Sequence, residues 1–119
     1  MIEDLAPQIF RQRLLIEATY ERAVTQADVE RYLRELPAAL NLRIYSEPVV
    51  YSPGGEGKPI NQGYDGFVAL IDSGISIYVW ESAKLVSVVV YTCKAFDEAR
   101  AVAFTRAFFG VRELEQMSF

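Results

Sequence analysis

Very few side chains in this 119-residue chain can do chemistry. It has one cysteine, Cys93, and no histidine. One serine, Ser73, stands between an acid, Asp72, and Gly74. A serine hydroxyl becomes a nucleophile once a base takes its proton, and a thiol can give up a proton or attack. Without histidine, the usual general base near neutral pH is missing, and so is histidine-based zinc ligation. One cysteine excludes an internal disulfide and a multi-cysteine metal cage, so no metal site is expected. The plain structural reading makes Asp72-Ser73-Gly74 a hairpin turn and Cys93 a small buried apolar residue.

The elements that must position these residues lie in the stretch from Gly63 to Cys93. Its apolar runs predict strands over 67–71, 75–80 and 85–92, connected by 72–74 and 81–84. Short connections imply antiparallel neighbours. Before them, residues 1–9 form a short, loosely held lead. Residues 11–20 alternate as a strand, Leu14, Ile16 and Ala18 against Arg13, Leu15, Glu17 and Thr19. Thr25 with Asp28 makes a capping box for a helix whose Val29, Leu33, Leu36 and Leu40 fall at helical spacing. Pro37 ends or kinks it near its last turn. Residues 42–51 predict a second strand, with Pro48 marking an edge or bulge. After the core stretch, 96–109 predicts a helix with apolar positions 99, 102, 103 and 107 on one stripe and Gly110 at its C-cap. A last strand follows over 111–117.

This order predicts one α+β domain over residues 1–119, an antiparallel sheet with two helices on one face. The strands at 67–71 and 85–90 are apolar on both faces, so the far face needs a cover. A second copy of the chain supplies it most simply, giving an α/β/β/α sandwich in a homodimer. The net charge of −4 and pI near 4.8, without a basic run, predict neither a nucleic-acid partner nor an anionic-membrane one. No apolar run reaches the length of a membrane span, and the acidic N-terminus does not read as a signal peptide. A cytoplasmic location is expected. Gly57-Lys58 invites a phosphate-loop reading, but Ser52 stands where the first glycine belongs and Pro59 where Ser or Thr is needed.

Gly63, Gly66, Ser73, Ile75, Ser76, Ile77, Trp80, Thr92 and Cys93 carry a resemblance to the bacterial and archaeal S-adenosylmethionine decarboxylases, pyruvoyl-dependent enzymes of spermidine synthesis. The serine-to-cysteine separation is that family's. The chain length, element order and the Leu14–Ala18 opening of the first strand are similar too. The resemblance implies that Ser73 is a self-cleavage site whose hydroxyl attacks the Asp72 carbonyl. The chain then splits, leaving a pyruvoyl group on the new N-terminus and Asp72 at the end of the other fragment. That ketone is an electron sink for loss of CO2 from adenosylmethionine, and Cys93 would return the proton. Trp80, Phe67 and Tyr64 are candidate pocket aromatics.

The departures from the family pattern fall on proton transfer. Tyr78 stands for the processing histidine and Asp65 for the processing serine. Gly74 replaces the histidine after the cleavage serine, Asp72 replaces Glu, and Lys94 replaces the glycine after the cysteine. A tyrosine with an ordinary pKa near 10 is a poor proton acceptor at pH 7. Three roles therefore compete. One is a decarboxylase acting on S-adenosylmethionine or a related small molecule, with a pyruvoyl group from Ser73. Another is a non-processing homologue without a cofactor, acting as a ligand-binding or regulatory partner. The third is a plain dimeric scaffold.

Overall fold

The computed structural model describes residues 2–52 and 54–119. Six strands and two helices follow one another as β1 (Gln12–Tyr20), α1 (Gln26–Ala39), β2 (Val49–Tyr51), β3 (Gly63–Leu70), β4 (Ser73–Trp80), β5 (Leu85–Thr92), α2 (Glu98–Phe109) and β6 (Val111–Ser118). The strands form one antiparallel sheet in the order β2-β3-β4-β5-β1-β6. Both helices pack on the same face of it, as the sequence predicts.

On that face the strands contribute Leu14, Ile16, Val68, Ile75, Ile77, Val86, Val88 and Val90, all fully buried. From α1 come Val29, Tyr32, Leu33 and Leu36, in line with the predicted stripe. The helix begins where Thr25 accepts from the Asp28 amide and Asp28 accepts from the Thr25 amide. Pro37 lies inside its last turn, with its carbonyl accepting from Leu40 and Leu42. The stripe on α2 differs from expectation. Its buried residues are Ala101, Val102, Thr105 and Phe109, while Ala99, Ala103 and Ala107 face solvent. Thr105 can be buried because its hydroxyl bonds the Ala101 carbonyl at 2.8 Å and the Tyr32 hydroxyl at 2.7 Å. Burial pushes the Tyr32 phenol well above its usual pKa. Phe104, Phe108 and Phe109 surround its ring.

Three boundaries shift. The second strand shortens to Val49–Tyr51, preceded by a single bridge from Ile44 to Leu70. Pro48 has no amide hydrogen to continue the ladder between them. β3 begins at Gly63 rather than 67, and β4 at Ser73 rather than 75. The turn is therefore Ile71-Asp72, with Ser73 already in the sheet opposite Leu70 and Thr92. The lead is pinned more firmly than its composition suggests. The Ala6 amide donates to Asp4, the Ile9 amide to the Ala6 carbonyl, and Arg11 pairs with Asp4.

Among the described residues, no helix lies on the far face of the sheet. Phe67, Tyr78, Tyr91 and Met117 stand there between 39% and 55% exposed.

Candidate active site at the turn between β3 and β4

Two antiparallel pairings bring Ser73 and Cys93 to one end of the sheet. β4 and β5 have equal length, so Ser73 pairs with Thr92 and Cys93 follows at once. From there the Cys93 amide donates to the Asp72 carbonyl oxygen at 2.9 Å, and the thiol reaches the same oxygen at 3.4 Å. The carbonyl of the Asp72–Ser73 peptide thus carries two donors from one residue. Donors held on a carbonyl oxygen stabilise the negative charge that develops when a nucleophile adds to its carbon. Cys93 is a free, exposed thiol rather than the buried one of the plain reading.

Ser73 itself has φ of 133°, a region that side-chain-bearing residues rarely occupy. Such a conformation costs about 1–3 kcal/mol and persists only where its surroundings impose it. Its neighbour is closely packed. A β-carbon on Gly74 would fall 2.6 Å and 2.7 Å from two ring atoms of Phe67. The Phe67 ring therefore fills the space beside Ser73 that a side chain at 74 would need. Opposite Ser73, the buried Thr92 hydroxyl donates to the Lys94 carbonyl at 2.6 Å and fixes the chain leaving β5. The Lys94 ammonium in turn donates to the Asn41 carbonyl just past α1 at 3.0 Å, where the helix dipole favours a cation.

The remaining candidates lie elsewhere. Tyr78 faces Asp65 directly across the β3–β4 ladder, on the helix-free face. The ladder runs without a register shift from Ser73 to Trp80. At about 3.3 Å per residue, Tyr78 and Asp65 sit roughly 16 Å along the strand from Ser73. Trp80 lies at the far end of β4, roughly 23 Å from Ser73 by the same rise. Tyr64 pairs with Val79 on the helix side, packed against the core. Burial, with Glu81 nearby, raises its pKa. Of the predicted residues, one chain brings together Asp72, Ser73, Cys93 and Phe67. It leaves Asp65, Tyr78, Trp80 and Tyr64 apart from them.

The sequence did not point to the backbone amide of Cys93 as a donor. The only signal for it is the equal strand lengths flanking the 81–84 turn, which place residue 93 beside residue 72.

The S-adenosylmethionine decarboxylase family profile matches residues 12–119, nearly the whole chain. The chain belongs to the S-adenosylmethionine decarboxylase family. Among solved structures, the crystal structure of the adenosylmethionine decarboxylase from Aquifex aeolicus VF5 superimposes with a TM-score of 0.71 and 22% sequence identity. The match covers 93% of this chain and 89% of that one. No curated protein matches significantly. The family's α+β architecture is thus present, with six antiparallel strands and two helices.

Proposed function

We propose that this protein is a self-processing S-adenosylmethionine decarboxylase of polyamine synthesis, cleaving itself between Asp72 and Ser73. The observation that carries the reading is the pair of Cys93 donors on the Asp72 carbonyl oxygen. The Ser73 hydroxyl adds to the Asp72 carbonyl carbon, and the oxyanion forms between the Cys93 amide and thiol. Collapse breaks the C–N bond and gives an ester, with the Ser73 nitrogen taking up a proton as a free amine. Transfer of the Ser73 α-proton to solvent water then expels Asp72 as a carboxylate and leaves dehydroalanine at 73. Its imine tautomer takes up water and releases ammonia. The positive φ of Ser73 favours this direction, because breaking the peptide relieves it.

The residues present fit formation of the pyruvoyl group: a strained serine at 73, an activated carbonyl before it and a thiol beside it. Once formed, that group supplies the electron sink for decarboxylation. Cys93 is the proposed acid that protonates the product carbon. S-adenosylmethionine is the proposed substrate. A role in spermidine synthesis and a cytoplasmic setting are part of the same proposal. Among the described residues, no helix is long and apolar enough to cross a membrane.

The half-exposed Phe67, Tyr91 and Met117 on the helix-free face support a homodimer closed through that face. Such a dimer would offer one way for Trp80, Tyr78 or Asp65 to approach Ser73, from the partner's strand. A second reading rests on their distance within one chain. With neither Tyr78 nor Asp65 of the same chain at Ser73, the protein would remain whole and serve as a ligand-binding or regulatory partner. Intact-mass measurement separates the two. Fragments ending at residue 72 and beginning with pyruvoyl at 73 support the first, and a single full-length mass supports the second.

A further inference from the structure

Cys93 is exposed, so burial in the core does not fix the direction of its thiol. It also stands one residue past the end of β5, where the ladder to β4 stops. Side chains hold the chain there instead. Thr92 is fully buried and pairs with Ser73 on one side and with Gln12 of β1 on the other. Its hydroxyl spans Cys93 and donates to the Lys94 carbonyl at 2.6 Å. Gln12 holds the stretch that follows. Its side-chain carbonyl accepts from the Phe96 amide, and its side-chain amide donates to the Phe96 carbonyl, both at 3.0 Å. That side-chain amide also reaches the Glu98 carboxylate in the first turn of α2 at 3.1 Å.

The reciprocal bonds between Gln12 and Phe96 copy the exchange made by paired residues of neighbouring strands. With Thr92 in the sheet and the carbonyl of Lys94 and both backbone groups of Phe96 held, Cys93 is fixed from both sides. We infer that Thr92 and Gln12 are positioning residues for Cys93, keeping its amide and its thiol together on the Asp72 carbonyl oxygen. They act through Cys93 rather than on the reacting atoms. Hydrogen bonds weaken steeply as their angle worsens, so a small swing of residue 93 would take both donors off the oxygen. The consequence for cleavage rests on the proposed self-processing, whereas the placement of Cys93 stands without it.

Two measurements keep these apart. Amide hydrogen exchange at Cys93 is followed by NMR in chains carrying Ser73→Ala, which keeps the peptide bond whole. The cleavage rate is followed by intact mass in chains that retain Ser73. Thr92→Val removes the hydroxyl at nearly constant shape. It should speed exchange at Cys93 by about tenfold, as loss of one hydrogen bond predicts, with the amides at the centre of β5 little changed. Cleavage should slow by about tenfold or more, the scale on which misplaced groups lose rate. Thr92→Ser keeps the hydroxyl and should recover most of both. Gln12→Met, at a half-buried position, should shift both readouts in the same direction by a smaller factor, and it decides the matter if Thr92→Val does not fold. Unchanged exchange at Cys93 in both variants would overturn the inference. So would exchange raised equally along all of β5, which is a structural role only, or a cleavage rate that ignores a loosened Cys93. If the unaltered chain never cleaves, self-processing fails, and a rise in exchange confined to Cys93 still supports its placement by Thr92 and Gln12.

Discussion

β4 has two regions with opposite characters. At its start, Ser73 is strained and the carbonyl before it receives two donors from Cys93. Five residues on, Tyr78 and Asp65 face each other in an unperturbed ladder on an exposed face. The first region is set by backbone register, which tolerates wide sequence change because hairpin length and strand pairing maintain it. The second depends on side-chain identity, and there the resemblance read from the sequence puts Tyr78 and Asp65 where a histidine and a serine would stand. On the proposed reading, the fold supplies the donors on the carbonyl, while the side chains expected to move the proton differ. This contrast explains how a chain with no histidine can still hold a serine and a thiol around one peptide bond.

The contrast can be broken at the Ser73 end first. Ser73→Ala removes the nucleophile, and the two-fragment product should disappear completely on denaturing gels. Cys93→Ala keeps the amide donor but removes the thiol. Loss of one donor from such a site slows reaction by 10²–10³ where the donor is strong, and a thiol is a weak one. A fall of about tenfold in the cleavage rate is expected by these principles, and an unchanged rate would remove the thiol from the scheme.

A subtler probe is the packing that holds Ser73. Gly74→Ala pushes a methyl into the Phe67 ring and should cost about 1–3 kcal/mol in denaturant unfolding. Phe67→Ala in the same chain should recover part of that loss, because the two residues touch. Strictly additive costs would mean that Phe67 is not what confines position 74. Smaller still is the effect of acid on the α1 cap. The Thr25 amide, assisted by Arg22, holds the Asp28 carboxyl below its ordinary value. A depressed folded pKa gives stability that is fully present above the unfolded value near 3.9 and is lost as pH falls through the folded one. Asp28→Asn should flatten that acid limb of the stability curve and leave stability near pH 7 changed by about 1 kcal/mol or less. Tyr78→Phe should have the least effect, under about 0.5 kcal/mol in stability and none on cleavage. A large loss of cleavage in that variant would place the tyrosine at the reacting centre, by way of a second chain.

How far the sequence reached can be judged element by element. α1 was fully legible, because Thr25 and Asp28 mark its start and Val29, Leu33 and Leu36 fill one stripe. α2 was legible in extent but not in orientation. Its alanines fit either side of a helix, and a buried Thr105 becomes plausible only once its partners Ala101 and Tyr32 are in place. The start of β3 was not legible, because Gly63 and Gly66 carry no side chain to mark an apolar alternation. Gly63 is there because a β-carbon would collide with the Val79 carbonyl, and Gly66 because Leu33 and Val29 of α1 come so close. Ser73 and Cys93 were legible as a pair only through the family resemblance, whose serine-to-cysteine separation they share. The oxygen they share was not, since it belongs to the backbone and depends on two pairings at once. The distance of Tyr78 from Ser73 required knowing that the strand is straight.

The most direct test of self-processing is the intact mass of the purified chain, followed through a long incubation near neutral pH. Cleavage between Asp72 and Ser73 predicts two masses, a fragment of residues 1–72 and a fragment of residues 73–119 carrying an N-terminal pyruvoyl group. One undivided mass at every time point would contradict it, leaving Cys93 and the Asp72 carbonyl as inherited geometry without the reaction.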